Sequence, residues 1–291
     1  MTMFPGRRSF TFILIVKILS LALIVLNALL GLRIPFSVGF LIGFIALLMV
    51  FVVWHSIETK GIRKSLVMLG GSFVIAFIAE ALGVNFGLIF GNYHYTAKLG
   101  VQAFGVPFLA ALAWEPILYA AYTLTTSLAS FEPLPAWKNR MPAYLWLAGA
   151  GALATTAWDM MIDPIAVSQG WWVWENGGDY LPYVANGVPI SNFMGWLGVS
   201  FVIQLCYRLM VRDLPPYRSP HLDIYGPLVL YAALFLTACG VAITILQRPE
   251  VALVGLLAMG PFLAIGLTHL NLDLSRKKAI AGSGLQNPDV E

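Results

Sequence analysis

The chain has 291 residues, 59% hydrophobic and only 11% charged, with a mean hydropathy of +0.81. Soluble domains carry about a quarter of their residues as charges, so this composition argues against a soluble enzyme. The net charge is +3, and no basic cluster is long enough to follow a phosphate backbone, so no nucleic-acid partner is expected. What remains is an all-α polytopic protein of the cell membrane, multi-pass, with the lipid bilayer as its surroundings and residues 1–291 as one integral-membrane domain.

Eight spans are read in chain order, at about 11–32, 36–54, 65–84, 104–130, 143–163, 189–210, 226–246 and 251–271. Each is close to the roughly 20 residues that a helix needs to cross about 30 Å of hydrocarbon. The runs are continuously apolar rather than alternating, which favours helices over a barrel, and no strands are expected. With both termini cytoplasmic, thirteen Lys and Arg residues fall inside and only Arg33, Lys98 and Arg248 outside. That asymmetry is the positive-inside pattern.

The first span follows Arg7 and Arg8, which look like an export signal. Its apolar run is too long for one, so the pair is read as the positive flank of a helix. The third span carries Glu80 about 22 Å from its inner start, at 1.5 Å per residue. Glu80, Gly83, Gly87 and Gly91 fall on one helix face, which allows close approach of another helix, the commoner use, or of a flat ligand. The fourth span holds Glu115 beside Pro116, nearer mid-membrane. In the fifth, Gly151, Thr155, Asp159 and Asp163 repeat every four residues on one face. Asp159 lies about 24 Å across. Two carboxyls packed this way cannot both ionise cheaply, so one keeps its proton at neutral pH. Pro164 disfavours helix at Asp163, so a break or kink is expected there. Asn192 enters the sixth span about 5 Å from its outer end, in the same layer as the acids. The stretch 279–291 is read as a floppy tail.

Acids inside a membrane are costly and mark a functional interior. The plainer alternative is an Asp pair that pins helices together. Two outer loops add dense aromatics: Tyr93 and Tyr95, then Trp171, Trp172 and Trp174. An interfacial belt accounts for part of this. Trp158 and Trp196 add indoles at the depth of the acids, and ring faces stabilise a developing cation. The four histidines are scattered and Cys206 and Cys239 form no motif, so neither a metal site nor a redox role is expected.

Three ordered blocks now stand out. The first is EALG at 80–83 with GLIFGNYHY at 87–95, LG at 99–100 and GVP at 105–107. The second is WDMMIDP at 158–164 with GWWVW at 170–174; the third is GVP at 187–189 with NFMGW at 192–196. Together, over about residues 65–210, they resemble the integral-membrane carotenoid biosynthesis family of the CruF-type carotenoid 1,2-hydratases. The resemblance implies addition of water across the C1–C2 double bond of the ψ end group of an acyclic or monocyclic carotenoid, giving a tertiary alcohol without metal or cofactor. Other membrane enzymes of the carotenoid pathway are the partners it suggests. Protonation of C2 needs a neutral acid, assigned to Asp159, with Asp163 and Glu80 orienting water; the exchange of Asp159 and Asp163 stays open. Tyr93, Tyr95, Glu115, Trp158, Asn192 and Trp196 are assigned to substrate binding. Two alternatives use the same acids. A membrane prenyltransferase needs two Asp-rich motifs for magnesium diphosphate, and only one Asp-x-x-x-Asp is present. A proton-coupled transporter would show an inverted repeat, and none is evident.

Overall fold

The computed structural model describes residues 38–127, 140–175, 179–181, 187–212 and 222–282. The expected first span, 11–32, and residues 283–291 of the expected tail lie outside the described residues. Among the described residues, seven α-helices form a bundle: α1 (Val38–Lys60), α2 (Ile62–Phe86), α3 (Phe108–Ser127), α4 (Arg140–Gln169), α5 (Ile190–Val211), α6 (Leu222–Gly240) and α7 (Pro249–Gly282). A π-helical turn, Val241–Ile245, extends α6.

Five of these segments are long and apolar enough to cross a membrane: Leu41–Lys60, Ile62–Phe86, Ile190–Val211, Gly226–Ile245 and Pro249–Asn271. The protein is therefore an all-α membrane protein in its main architecture. Helices α3 and α4 are more polar, because they hold Glu115, Asp159 and Asp163. They sit where burial compensates: Trp114 to Thr125 of α3 are all buried. At 1.5 Å per residue, α3 and α4 are about 30 and 45 Å long.

Four details differ from the sequence reading. First, α4 runs through Pro164 to Gln169 rather than breaking. A membrane helix tolerates proline where neighbours and side chains meet the freed backbone groups; the carbonyl freed here is that of Met160, one turn before Pro164. Second, α7 continues to Gly282, because residues 276–281 (RKKAIA) are good helix formers. Third, short strands exist. Strand β1 (Tyr93–Tyr95) pairs antiparallel with β4 (Trp172–Trp174), and β2 (Gln102–Ala103) pairs with β3 (Val106–Pro107). The β2–β3 turn places Phe104 at φ 53 and Gly105 at φ 78. Positive φ at both central residues is the turn that matches strand twist. Fourth, the glycine face is not a helix seam. Helix α2 stops at Gly87, whose left-handed φ of 66 closes it with an N–H to the Gly83 carbonyl. Gly83 instead admits a side chain: a Cβ there would lie 2.9 Å from Tyr93 Cε1.

The β1–β4 ribbon ties the loop after α2 to the loop after α4. Thr96 Oγ1 donates to the Gly170 carbonyl at 2.8 Å, Lys98 Nζ to that of Gln169 at 2.8 Å, and the Glu175 N–H to that of Asn92 at 2.8 Å. Side chains alternate faces along a strand, so Tyr93, Tyr95, Trp172 and Trp174 share one face, and His94 and Val173 the other. The first face turns into the bundle. The second is exposed, with His94 Nδ1 2.7 Å from Glu175 Oε1.

Candidate active site

Beneath this ribbon lies a cavity of about 1060 Å³, its open mouth included. Its lining includes Glu80, Tyr93, Tyr95, Trp158, Asp163, Asn192 and Trp196, together with Trp114, Trp172 and Trp174. Residues from four helices and both ribbon strands therefore meet at one end of the bundle. An apolar part of the same cavity is walled by Leu41, Phe44 and Leu48 of α1 and by Leu234, Ala238 and Val241.

Glu80 is the most heavily bonded acid. Trp114 Nε1 donates to its Oε1 at 3.0 Å, and the hydroxyls of Tyr95, at 2.8 Å, and Tyr93 donate to its Oε2. Three donors on one carboxyl group form the donor set of a carboxylate. The two tyrosines lie on β1, outside the helices. Burial pushes both phenols well above the usual tyrosine range, and the neighbouring Glu80 adds to it, so both remain O–H donors.

On the facing helices, the Asn192 amide donates to Asp159 Oδ2 at 3.0 Å and to Asp163 Oδ2. One side chain from α5 thus bridges two carboxyls a helical turn apart on α4. They are not equivalent. Asp163 lines the cavity, whereas Asp159 is 0% exposed and lies behind it. The i, i+4 spacing made them neighbours, and it could not tell which one faces inward.

Between the acids stand indoles. Trp114 and Trp196 stack with centroids 3.6 Å apart and planes 4° apart, and Trp158 meets Trp196 edge-on at 6.2 Å. Tyr93 stacks on Trp174 at 5.5 Å and Tyr95 meets Trp172 edge-on at 5.6 Å, which roofs the cavity. Trp174 is held by its Nε1–H to the Phe90 carbonyl at 3.2 Å.

The expected substrate-binding residue Glu115 is not in this cavity. Successive residues of a helix point about 100° apart. Trp114 and Pro116 reach the main cavity, while Glu115 turns toward α2 and α5 and lines a second cavity of about 430 Å³. Ser72 Oγ donates to its carboxyl group, 2.8 Å from each oxygen. Conversely, Trp114, Trp172 and Trp174 are site residues that the sequence reading did not assign. For Trp172 and Trp174 the signal was present in the alternation Tyr-His-Tyr against Trp-Val-Trp; for Trp114 it lay only in its place beside Glu115. Among the described residues, no group of three or more His, Cys, Asp or Glu is gathered to hold a metal ion.

Comparison with known proteins places this geometry in context. Residues 36–261 match the family model described as carotenoid biosynthesis protein. A bisanhydrobacterioruberin hydratase of Haloarcula japonica is 32% identical over 147 residues, covering 47% of this chain and 45% of that protein. The match thus spans about half the length of that relative. No solved structure matches.

Proposed function

Because the chain belongs to the carotenoid biosynthesis protein family, we propose that it is a carotenoid 1,2-hydratase, adding water across the C1–C2 double bond of an acyclic ψ end group. The relative named a hydratase supports this reading. So does one structural observation: a single cavity with an Asp163–Asn192 wall, a triply bonded Glu80 and stacked indoles beside them. We place the protein in the cell membrane with eight spans and both termini cytoplasmic, following the distribution of Lys and Arg.

The Asp159–Asp163 pair holds a proton, since two carboxyls on one amide in a dry layer cannot both be anions cheaply. Asp163, the member that lines the cavity, is the general acid. It gives its proton to C2. The electron pair of the C1–C2 double bond forms the new C–H bond and leaves a tertiary cation at C1. The faces of Trp114 and Trp196 stabilise that cation without bonding to it. Glu80, fixed by Tyr93, Tyr95 and Trp114, orients the attacking water. The water's lone pair forms the C1–O bond, and its surplus proton goes to the carboxylate that the first step left. One water is consumed and no electrons are exchanged. The apolar part of the cavity, from Leu41 to Val241, accommodates the chain next to the reacting end.

The test is expression in a host that makes acyclic carotenoids, followed by mass spectrometry of the pigments. The expected result is pigment heavier by one water, lost in Asp163→Asn. Unchanged pigment, with the protein present in the membrane, refutes the proposal.

A further inference from the structure

Hydration consumes one water per turnover, and a carotenoid filling the cavity from its mouth would close that route, so a second path to the acids would serve the reaction. The seam between α4 and α5, the most extensive helix pairing among the described residues, carries an ordered set of polar groups. On α4 they are Thr155, Asp159 and Asp163, with Gly151 one turn before them; on α5 they are Asn192, Ser200 and Gln204, with Trp196 between them at the same four-residue spacing. Two contacts fix the antiparallel register. Asn192 meets Asp163 at the ribbon end, and Gln204 lies over Gly151 at the other, so close that a Cβ on Gly151 would sit 1.9 Å from Gln204 Oε1. Thr155 then stands opposite Ser200, and Asp159 opposite Trp196.

Thr155, Asp159 and Ser200 are 0% exposed and Gln204 is 2%. Yet Asp159 Oδ1, Ser200 Oγ and both amide atoms of Gln204 have no protein hydrogen-bond partner. Buried polar groups are almost always bonded, and where protein supplies no partner, water does. The spacing suits it. Four residues of helix rise about 6 Å, which one water with two hydrogen bonds of about 2.8 Å each spans. At its far end the set opens into the second cavity, where Gln204, Ser72 and Glu115 line the same space.

We propose that the α4–α5 seam is a water wire, running from the Glu115–Gln204 cavity past Ser200 and Thr155 to the back of Asp159. It supplies water and exchangeable protons to the acid pair from the end of the bundle opposite the ribbon. Its purpose rests on the hydratase reading, but its existence does not. Ser200, Gln204 and Glu115 position water and do not touch the carotenoid.

The test uses the full chain in nanodiscs without carotenoid. After transfer to D₂O, infrared spectroscopy follows the protonated-carboxyl band of the pair, identified by its loss in Asp159→Asn. Exchange is expected to be fast in the wild type and in Ser200→Thr, which keeps the hydroxyl. It should slow by about tenfold or more in Ser200→Val, Gln204→Leu and Glu115→Leu, the order expected for losing a hydrogen-bonded water position. The three variants sit at separate positions, so misfolding of one leaves two that still decide. Wild-type exchange in those that fold overturns the wire. So does Ser200→Thr as slow as Ser200→Val, or no Asp159-dependent band at all. Fast exchange together with unchanged pigments in the expression test would refute the hydratase and leave the wire standing.

Discussion

Replacing Asp163 with asparagine separates the chemistry of the acid pair from its packing. The side chain keeps its shape, and its amide oxygen can still accept from Asn192, which donates to Asp163 Oδ2. What the fold loses is at most part of one side-chain hydrogen bond, and in membranes these average only about 0.6 kcal/mol. What the reaction loses is its proton donor. General acid catalysis contributes about 10²–10⁴-fold, or about 2.7–5.4 kcal/mol of barrier at 1.36 kcal/mol per decade. Activity should therefore fall by at least two decades with a nearly unchanged thermal midpoint. Asp159→Asn, behind the cavity wall, should cost less, about one decade, since an amide there still meets Asn192 but cannot hold the shared proton. The assay is purified protein in nanodiscs with an acyclic carotenoid, hydrated product being separated by chromatography. A larger loss for Asp159→Asn would make Asp159 the donor. Both variants at wild-type turnover would reduce the pair to a helix-pinning element.

Three other outcomes are expected. Trp196→Leu removes a ring face that a desolvated cation values at about 2 kcal/mol, so turnover should drop about 30-fold. Trp196→Phe should recover most of it, and equal rates for the two would remove the indole stack from the mechanism. Gly87→Ala forces a left-handed φ of 66 on a side chain and brings Cβ to 1.8 Å from Asn92 Oδ1. It should cost about 1–2 kcal/mol, read as a lower thermal midpoint; an unchanged midpoint would show that α2 does not end there. Reporter fusions near residues 98 and 175 should report outside and those near 60, 138 and 215 inside; the opposite pattern at either group discards the eight-span topology.

The helices were legible because hydrocarbon imposes a length and a hydropathy on every crossing segment, and α2 and α5 follow both closely. Glu80, Asp163 and Asn192 were legible because polar groups at membrane depth are expensive enough to need a reason. Facing was harder. Glu115 and Trp114 are adjacent in sequence, yet a 100° step sends them into different cavities, and only the neighbouring helices decide which. The order of Asp159 and Asp163 is hidden in the same way, since a shared helix face does not say which member meets open space. The strands were missed because segments of two or three residues carry too little hydrophobic pattern to stand out beside long spans. Their alternating aromatics were visible as composition before they were visible as pairing.

The β1–β4 ribbon limits how the protein can change over evolution. Its cross-strand partners are about eighty residues apart in the chain, Tyr93 with Trp174 and Tyr95 with Trp172. Inserting or deleting one residue inside either strand would turn a tyrosine or tryptophan pair outward and bring His94 or Val173 over the cavity. Substitutions on the outer face should drift freely, while length variation is pushed past Glu175, into the stretch before Gly187. Aligned relatives should differ in loop length there and keep the spacing of Tyr93–Tyr95 and Trp172–Trp174 unbroken.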